Sequence, residues 1–402
     1  MLLKSFYIYT LGCGLVPAPL KKGKFLTGYS QKWYLLYTAF LHGVLLVLLP
    51  FTFPHYMYDE SYMSSNLVLQ WAFNLTNITR IMAMFSGGLM MWFKRKKLVQ
   101  LGEHLRRHCL KCEKLEDNSR KFLKLRKRIR GVLGQMFFVT NLSLLVGTLI
   151  LMEIDTDHGF SKIAMIATHI SQYTYIVIMM AGICVILVIL HWQSERVHLG
   201  LEDLCYFLNH EERNSLVLSE DKAKKSLDNL RNLFQLFAEN QRLIIKVFKI
   251  FDIPIALLLL KMFVTNVNLV YHGVQFGNES IETSYHTRIL GQLVVFSHYW
   301  SAVLIMNIVD DVTRSSDLKM GNCLRQFSHL ELVKRDFQLQ LELFSDHLRC
   351  HSATYKVCGL FVFNKQTTMV YFFFVLVQVL VLVQFDLKNK VEKTTPKYSN
   401  MS

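Results

Sequence analysis

The stretch TTMVYFFFVLVQVLVLVQF, Thr367 to Phe385, lies near the carboxyl end of the chain and contains no charged residue. As an α-helix it would be about 28 Å long, which is close to the hydrocarbon thickness of a bilayer. It also carries two glutamines, Gln378 and Gln384. An amide in lipid costs free energy unless it meets a partner helix or water. The stretch therefore predicts a membrane-spanning helix that borders either another helix or a water-filled pore.

Six further apolar runs in the 402-residue chain are long enough to cross a membrane. In order, the seven predicted spans are Trp33–Phe53, Leu67–Phe93, Val132–Met152, Ile163–Trp192, Val247–Phe276, Ile289–Val309 and Thr367–Phe385. The fourth run is charge-free for longer than a bilayer requires, and the connections after spans four and six show helical spacing of apolar residues. We therefore predict an all-α polytopic membrane protein with seven transmembrane helices and cytosolic helical extensions.

The distribution of basic residues predicts how the chain is oriented in the membrane. The chain has a net charge of +15, and Lys and Arg concentrate in residues 1–32 and 94–131. The alternate connections are acidic and nearly free of Lys and Arg, as in Glu153–Asp157. Because short cytosolic segments carry the excess of Lys and Arg, the amino terminus is predicted inside and the carboxyl terminus outside. Asn278 then begins a glycosylation sequon in the third outer loop.

This layout divides the chain into five regions. They are a cytosolic amino-terminal segment at 1–32, transmembrane helices one to six with their loops at 33–309, a cytosolic helical anchor region at 310–366, a seventh transmembrane helix at 367–385 and an extracellular tail at 386–402. We expect helices one to six to form a ligand-binding bundle.

Polar side chains in spans two, four, five and six form a candidate ligand-binding set, because aromatic walls with a few amides and imidazoles suit a small organic ligand. The candidates are Asn74, Arg80, His169, Gln172, Tyr173, Asn266, His272, Gln292, His298 and Trp300. The alternative is that they make ordinary contacts between helices and at the membrane interface. Lys261, deep in span five, is expected to extend toward the interface or to pair with a neighbour.

Enzymatic and metal-binding functions find little support in the sequence. The chain has no G-x-S-x-G, H-E-x-x-H, Walker or dinucleotide-binding motif, so we predict neither catalysis nor a cofactor. Cys109 and Cys112 form a single C-x-x-C within a strongly basic helix, which is a weak metal signal. The basic block is better explained as a topology determinant beside anionic lipid than as a nucleic-acid module.

The carboxyl-terminal segment YKVCGLFVFNKQTTMVYFFFVLVQVLVLVQF, residues 355–385, resembles the ending of insect gustatory receptors. Those receptors typically end with a small residue, Gly and an aromatic residue in a turn, a polar residue, an apolar helix, Thr-Tyr, five apolar residues and Gln-Phe. Here Cys358–Phe361 and Asn364 match the turn, and Val379–Phe385 matches the close. The Thr-Tyr pair is replaced by Val377 and Gln378.

The resemblance implies a taste chemoreceptor that acts as a ligand-gated, non-selective cation channel in the plasma membrane of sensory neurons. It implies a homo- or hetero-tetramer of related subunits whose last helices line a central pore, and a small-molecule tastant that enters from outside among spans two to six. We rank a bitter or aversive compound above a sugar. The expected pore-lining residues are Val377, Leu380, Val381, Gln384 and Phe385. Gln378 falls on another face, where we expect it to bond a neighbouring helix.

Two alternatives to the channel are a seven-span G-protein-coupled receptor and a small-molecule transporter. A G-protein-coupled receptor needs an external amino terminus, and this chain has neither Asp-Arg-Tyr after span three nor Asn-Pro-x-x-Tyr in span seven. A small-molecule transporter would usually show paired halves or helices broken by Gly and Pro, and neither is apparent.

Overall fold

The computed structural model describes residues 1–21, 24–25, 29–53, 66–115, 120–153, 159–214, 219–277, 285–327, 335–351 and 354–394. The helices are α1 (Leu2–Gly12), α2 (Tyr29–Val47), α3 (Leu67–Phe93), α4 (Arg95–Glu113), α5 (Arg120–Glu153), α6 (Gly159–Asn214), α7 (Glu220–Gly277), α8 (Tyr285–Asp310), α9 (Ser316–Gln326), α10 (Arg335–Cys350) and α11 (Lys365–Thr394). Two short antiparallel hairpins join β1 (Leu20–Lys21) to β2 (Lys24–Phe25) and β3 (Lys356–Val357) to β4 (Phe361–Val362).

The predicted spans correspond to α2, α3, α5, α6, α7, α8 and α11. Within the described residues, four helical stretches have both the length and the apolar composition to cross a membrane. They are Arg120–Ile150, Lys162–Arg213, Arg288–Gln326 and Lys365–Lys388. Helices α3 and α7 carry buried basic residues, Arg80 and Lys261, in addition to their apolar surface.

The first predicted span ends earlier than its apolar run. The α-helix stops at Val47, and a 3-10 helix, Leu49–Thr52, replaces its expected continuation to Phe53. The cause is Pro50, which has no N–H to donate to an α-helical carbonyl and whose ring clashes with the preceding turn. The prediction of one span through Phe53 is therefore wrong in its last turn. The new turn brings Thr52 into the protein interior.

Helices α6 and α7 extend well beyond the bilayer, as predicted. With 56 and 58 residues, they would be about 84 and 87 Å long if straight. Their outlying halves pack with α4, α9 and α10 around a second apolar core that is separate from the core among the spans. This second core includes Leu201, Leu233, Phe237, Phe327 and Phe344. The predicted packing of the helical extensions into a separate bundle is confirmed.

Helix α7 contains Pro254 but continues through it. A proline removes the N–H that would bond the carbonyl four residues earlier, which here is Ile250. The Lys94 ammonium, at the junction between α3 and α4, donates to that carbonyl at 2.9 Å. The lost helical bond is thus replaced by a contact that joins the basic block to α7.

The amino-terminal segment forms a helix that packs against the transmembrane bundle. Helix α1 packs against α5 and α6, with Phe6 buried in the core among the spans. The Tyr9 hydroxyl donates to Asn141 of α5 at 3.0 Å. At the contact with α6, a Cβ on Gly182 would lie 3.0 Å from the Thr10 methyl group, so the glycine permits the close approach. Helix α1 therefore helps to fix the relative position of two spans.

Candidate functional site

Eight polar residues from five elements meet inside the transmembrane bundle. We call them the polar cluster; they are Thr52, Asn77, Arg80, His169, Gln172, Tyr173, Lys261 and His298. Except for Tyr173, they are all buried, although four of them carry a basic group or an imidazole ring. Buried polar groups of this kind are costly unless partners are present.

The uncharged half of the polar cluster is connected by hydrogen bonds through Thr52. The Asn77 amide donates to the Thr52 carbonyl at 3.2 Å, and the Gln172 amide donates to the Thr52 hydroxyl at 2.9 Å. The Arg80 guanidinium donates in turn to the Asn77 carbonyl oxygen. The 3-10 helix after α2 is therefore the link between α3 and α6.

The other half of the polar cluster is built on an aromatic contact. The Lys261 ammonium lies 5.6 Å from the ring centroid of Tyr173, in the range of a cation–π interaction. Tyr173 faces the imidazole of His298 with ring centroids 5.9 Å apart. Gly147 of α5 makes room for the tyrosine, because a Cβ there would lie 2.9 Å from a ring carbon. These contacts join α5, α6, α7 and α8.

Arg80 lies within electrostatic range of both Lys261 and His169. Among the residues the structure describes, neither Arg80 nor Lys261 has a carboxylate within salt-bridge distance. Among the described residues, the buried Nε atom of Arg80 has no hydrogen-bond partner. The polar cluster thus brings two buried basic side chains together inside the bundle.

The remaining candidate ligand-binding residues are dispersed. Asn74 and His272 are half-buried. Asn266 is fully buried on α7, and its amide donates to the Tyr371 hydroxyl of α11 at 2.6 Å. Gln292 and Trp300 are exposed on α8, so the structure does not bring them into the polar cluster.

Helix α11 packs on the rest of the chain by one stripe only. The buried positions follow one another at intervals of seven, four and seven residues, which places them on one face of the helix; they are Thr368, Val375, Val379 and Asp386. The opposite stripe is exposed and comprises Met369, Phe373, Leu376, Leu380 and Gln384. Only 17% of the most apolar part of α11 is buried in the single chain, against 61% for α6. This helix therefore presents a largely unpacked apolar surface.

The expected pore-lining residues differ in their exposure on the single chain. Leu380, Gln384 and Phe385 are exposed, whereas Val377 and Val381 are half-buried. Gln378 is also exposed on the single chain.

The hairpin before α11 is anchored on α7. Cys358 and Gly359 have φ values of 47° and 75°, the left-handed region in which glycine is favoured. One Asp252 carboxylate oxygen accepts from both the Tyr355 hydroxyl and the Cys358 N–H, each at 2.9 Å. The Tyr355 ring also stacks on Phe248 with centroids 4.0 Å apart. Burial and the Asp252 carboxylate together raise the pKa of Tyr355, so its hydroxyl remains a donor.

The start of α11 is capped by a reciprocal pair. The Thr367 N–H donates to the Asn364 side chain at 3.0 Å, and the Asn364 N–H donates to the Thr367 hydroxyl oxygen at 2.7 Å. The next residue, Lys365, lies 3.5 Å from Asp310 and 2.9 Å from Asp311, where α8 gives way to a π-helical turn, Asp311–Ser315. The segment that matched the receptor motif, residues 358–364, together with Lys365, therefore connects α11 to α7 and α8.

At the opposite end of α11, Asp386 is buried between two other spans. Its oxygens accept from Asn66 at the start of α3 and from Gln275 near the end of α7, each at 3.0 Å. Asn66 also caps α3 by accepting from the Val68 N–H at 2.9 Å. The last helix is therefore tied to the same bundle at both ends.

Sequence reasoning did not assign functional roles to Asp386, Thr52 or Asp252. An acid immediately after the Gln-Phe close was the available signal for Asp386, but its burial depends on contacts with distant segments. For Thr52 the available signal was Pro50, two residues earlier, because a proline at this point ends α2 and begins the 3-10 turn. Asn278, the predicted glycosylation site, lies outside the described residues.

Comparison with known proteins identifies the family. Residues 3–389 match the model of the 7tm chemosensory receptor family. The chain is 73% identical over 393 residues to a Drosophila melanogaster protein named "Putative gustatory receptor 58a", covering 98% of this chain and 100% of the relative. It is also 26% identical over 363 residues to "Putative gustatory receptor 58b" of the same organism, covering 90% of this chain and 85% of the relative.

The fold matches a solved insect chemoreceptor. The structure of the olfactory receptor OR5 from Machilis hrabei in complex with eugenol superposes with a TM-score of 0.65 at 13% identity, covering 95% of this chain and 97% of that one. A second structure of the same OR5 gives a TM-score of 0.64 at 12% identity with the same coverage. The chain is a receptor rather than an enzyme, and it belongs to the 7tm chemosensory receptor family, among the insect gustatory receptors.

Proposed function

We propose that this receptor is a ligand-gated, non-selective cation channel in the plasma membrane of taste neurons, with α11 lining the pore. The observation that carries the proposal is the one-sided packing of α11. A helix that buries one stripe and exposes a long apolar stripe needs a partner, because exposed apolar patches of this size mark interfaces or lipid contact. Four copies of α11 around an axis would supply that partner and enclose a pathway for ions.

The chemistry of the exposed stripe suits a gate. Phe373 and Leu380 form an apolar constriction that excludes water when narrow, and Gln384 provides an amide ring at its predicted outer end. An amide ring has no net charge to reject either Na⁺ or K⁺, which is consistent with weak selectivity. Opening would require the four copies of α11 to move apart far enough for water to enter the constriction formed by Phe373 and Leu380.

The contacts at both ends of α11 provide a route from ligand to gate. At the inner end, Asp252 and the pair Asp310–Asp311 hold the hairpin and Lys365 on α7 and α8. At the other end, Asp386 is held by Asn66 and Gln275. A ligand that shifts α3 or α7 within the polar cluster would therefore act on both ends of the pore helix.

The polar cluster, together with Asn266, is the proposed ligand site. It has aromatic surfaces and hydrogen-bonding groups from several spans, which is how small-molecule sites are usually built. The related OR5 has been solved with the small aromatic molecule eugenol. We propose a bitter or otherwise aversive compound as the tastant, and a homo- or hetero-tetramer joined through the cytosolic bundle.

Whole-cell recording from cells that express this chain alone tests the channel directly. The cells are exposed to a panel of bitter compounds and sugars, with and without blockade of G proteins. Ligand-evoked cation currents that survive the blockade are expected. A response that the blockade abolishes would instead favour a G-protein-coupled receptor. An amino-terminal tag accessible from outside the cell would also contradict the channel, because the predicted topology places that end inside.

Substitution of the last helix tests the pore assignment. Gln384→Ala and Val381→Ala are expected to change conductance, ion selectivity or resting leak, since both alter the pore wall. Asn322→Ala, at an exposed position on α9, is the control and should leave these properties unchanged. The assignment of α11 to the pore is wrong if both pore variants reach the cell surface and conduct as the unmodified receptor does.

A further inference from the structure

Two buried cations without an acidic partner among the described residues distinguish the polar cluster from an ordinary helix contact. Lys261 is 4% exposed and Arg80 is 9% exposed. Burying one unpaired charge costs several kcal/mol, roughly, and two like charges within electrostatic range add to that cost. Residues of this kind inside a membrane bundle usually have a counter-ion or serve a ligand.

Two described acids that lie on or against these spans, Asp252 and Asp386, are already engaged elsewhere. Asp252, nine residues before Lys261 on α7, accepts from Tyr355 and the Cys358 backbone. It is separated from Lys261 by about 13 Å along the helix axis. Asp386 accepts from Asn66 and Gln275 at the far end of α7. Neither carboxylate neutralises the polar cluster.

Several donors in this region lack acceptors. Within the part of the chain that the structure describes, the Nε atom of Arg80 has no hydrogen-bond partner, and the Lys261 ammonium contacts the Tyr173 ring rather than an acid. Thr265 lies one turn after Lys261, on the same face of α7, and its buried hydroxyl has no hydrogen-bond partner among the same residues. A threonine in a helix ordinarily bonds the carbonyl four residues earlier, as Thr168 does to Ala164 at 2.7 Å. The Thr265 hydroxyl is therefore open to a ligand.

We propose that the ligand of this receptor is an organic acid bound as its anion, with its carboxylate held by Arg80, Lys261 and the Thr265 hydroxyl. The inference rests on the proposed function, because it takes the polar cluster as the ligand site. An anion would favour the charged form of both basic side chains, would offset their mutual repulsion and would accept from the open donors. A protonated amine would add a third positive charge and is disfavoured for the same reason.

The surroundings indicate the rest of the molecule. Tyr173 and His298 provide ring faces beside Lys261, and Phe73 lies 6.4 Å from His169 between their ring centroids. An aromatic or aliphatic body attached to the carboxylate would contact these rings. The ligand class is thus a hydrophobic carboxylate rather than a polyhydroxylated sugar or an alkaloid cation.

The test compares matched acids, amides and amines. Benzoate, phenylacetate and octanoate are applied at about pH 7.5, where these acids are ionised and supply no acid stimulus. Their primary amides and the corresponding amines have nearly the same shape without the negative charge. Two readouts are taken: thermal unfolding of the purified full-length receptor and currents in expressing cells. At least one acid should stabilise the receptor and evoke current at concentrations about 10- to 100-fold lower than its amide.

Substitution of Lys261 then separates charge from structure. Lys261→Met keeps the length of the side chain and should remove the preference for the acid, whereas Lys261→Arg should retain it. Lys225→Met, at an exposed lysine in the cytosolic half of α7, is the matched control and should keep the preference. If Lys261→Met leaves the acid-to-amide ratio unchanged in receptor that still folds and unfolds cooperatively, the carboxylate site is not at Lys261.

The two readouts distinguish this inference from the channel proposal. Stabilisation by an acid without current would support the ligand class and reject the channel. Currents evoked equally by acids, amides and amines would support the channel and reject the ligand class. Failure of all three acids to stabilise the folded receptor would overturn the inference whatever the currents show.

Discussion

At the scale of single residues, Gly147 of α5 decides how closely the Tyr173 ring of α6 can pack against that helix. Gly147 has no Cβ, and the Tyr173 ring occupies the space that a Cβ would approach to 2.9 Å. Tyr173 in turn positions the Lys261 ammonium and the His298 imidazole. Gly147 lies on α5, which contributes no residue to the polar cluster. It nevertheless helps to set the positions of Tyr173, Lys261 and His298 on α6, α7 and α8.

Gly147→Ala is therefore expected to displace Tyr173 and to weaken the response to ligand. Overpacking of this kind costs about 1–3 kcal/mol. The measurement is the concentration of tastant that gives half-maximal current, together with the melting temperature of the purified receptor. Gly134→Ala is the control on the same helix, because an added Cβ there would have no atom of another residue within 4 Å. It should leave potency unchanged and gain about 0.5–1 kcal/mol of helix stability.

At the scale of elements, the first turn of α11 is held by side chains rather than by the helix itself. Asn364 and Thr367 satisfy each other's N–H groups, and Lys365 joins the helix to Asp310 and Asp311. Burial tends to lower the pKa of Lys365, but the two carboxylates outweigh it and raise that pKa. The ammonium therefore stays charged while it pairs with the end of α8.

Asn364→Ala removes one half of the reciprocal cap and is expected to destabilise the start of α11. Loss of such a cap costs about 0.5–2 kcal/mol. If α11 lines the pore as proposed, this turn would couple the position of α7 and α8 to α11, and we expect a higher resting leak or a lower potency. Current recorded without ligand measures the leak. An unchanged leak and an unchanged dose response would show that the cap has no role in gating. Asn364→Asp, which keeps the acceptor, should behave as the unmodified receptor.

The cytosolic bundle contains a buried histidine that makes its stability depend on pH. His108 of α4 is fully buried, 3.6 Å from both the Cys112 sulfur and a Glu239 oxygen. Burial lowers the pKa of His108, and the Glu239 carboxylate only partly opposes this effect. The unfolded chain therefore binds a proton more readily than the folded one as pH falls through about 6.5. Stability contributed by neutral His108 is present above that pH and is lost below it.

The corresponding prediction compares melting temperatures at about pH 7.5 and about pH 5.5, on either side of the ordinary histidine pKa. The unmodified receptor should be less stable at the lower pH, and His108→Gln should show a smaller difference between the two. His104→Gln, at a half-buried position of the same helix, is the control. An equal pH-dependent loss in all three proteins would exclude His108 as its source.

At the scale of the whole molecule, the single chain leaves most of the apolar surface of α11 unpacked. Helix α11 is tied to α3, α7 and α8 at its ends but exposes Phe373, Leu380 and Gln384 along its length. A tetramer that places these residues around an axis would give them water on one side and neighbouring copies on the other. This arrangement predicts which positions an aqueous reagent can reach.

Cysteine substitution tests that arrangement. A membrane-impermeant thiol reagent applied outside should react with Gln384→Cys and reduce the current, and it should reach Leu380→Cys faster when ligand is present. Val379→Cys, one residue away and 5% exposed, should not react in either state. The native exposed thiols, Cys350 and Cys358, lie on the predicted cytosolic side and should not contribute. Equal modification of Val379→Cys and Leu380→Cys would contradict the assigned face.

The number, type and order of the spans could be predicted from the sequence because apolar length and Lys/Arg distribution are local properties of the chain. The family could be recognised from Cys358–Phe361, Asn364 and Gln384-Phe385 for the same reason: the turn, the cap and the close each occupy a few adjacent residues. Even the buried charge of Arg80 was visible as an ionisable residue within an apolar run.

Only the tertiary structure decided which of these residues meet. Lys261 and Tyr173 lie 88 positions apart in the chain, and Asn66 and Asp386 lie 320 apart, so no periodicity connects them. The same is true of the packing of α1 against α5 and α6, and of the face that α11 leaves exposed. Such contacts depend on how long helices pack side by side, and that packing is set by the sum of many side-chain shapes rather than by any one segment.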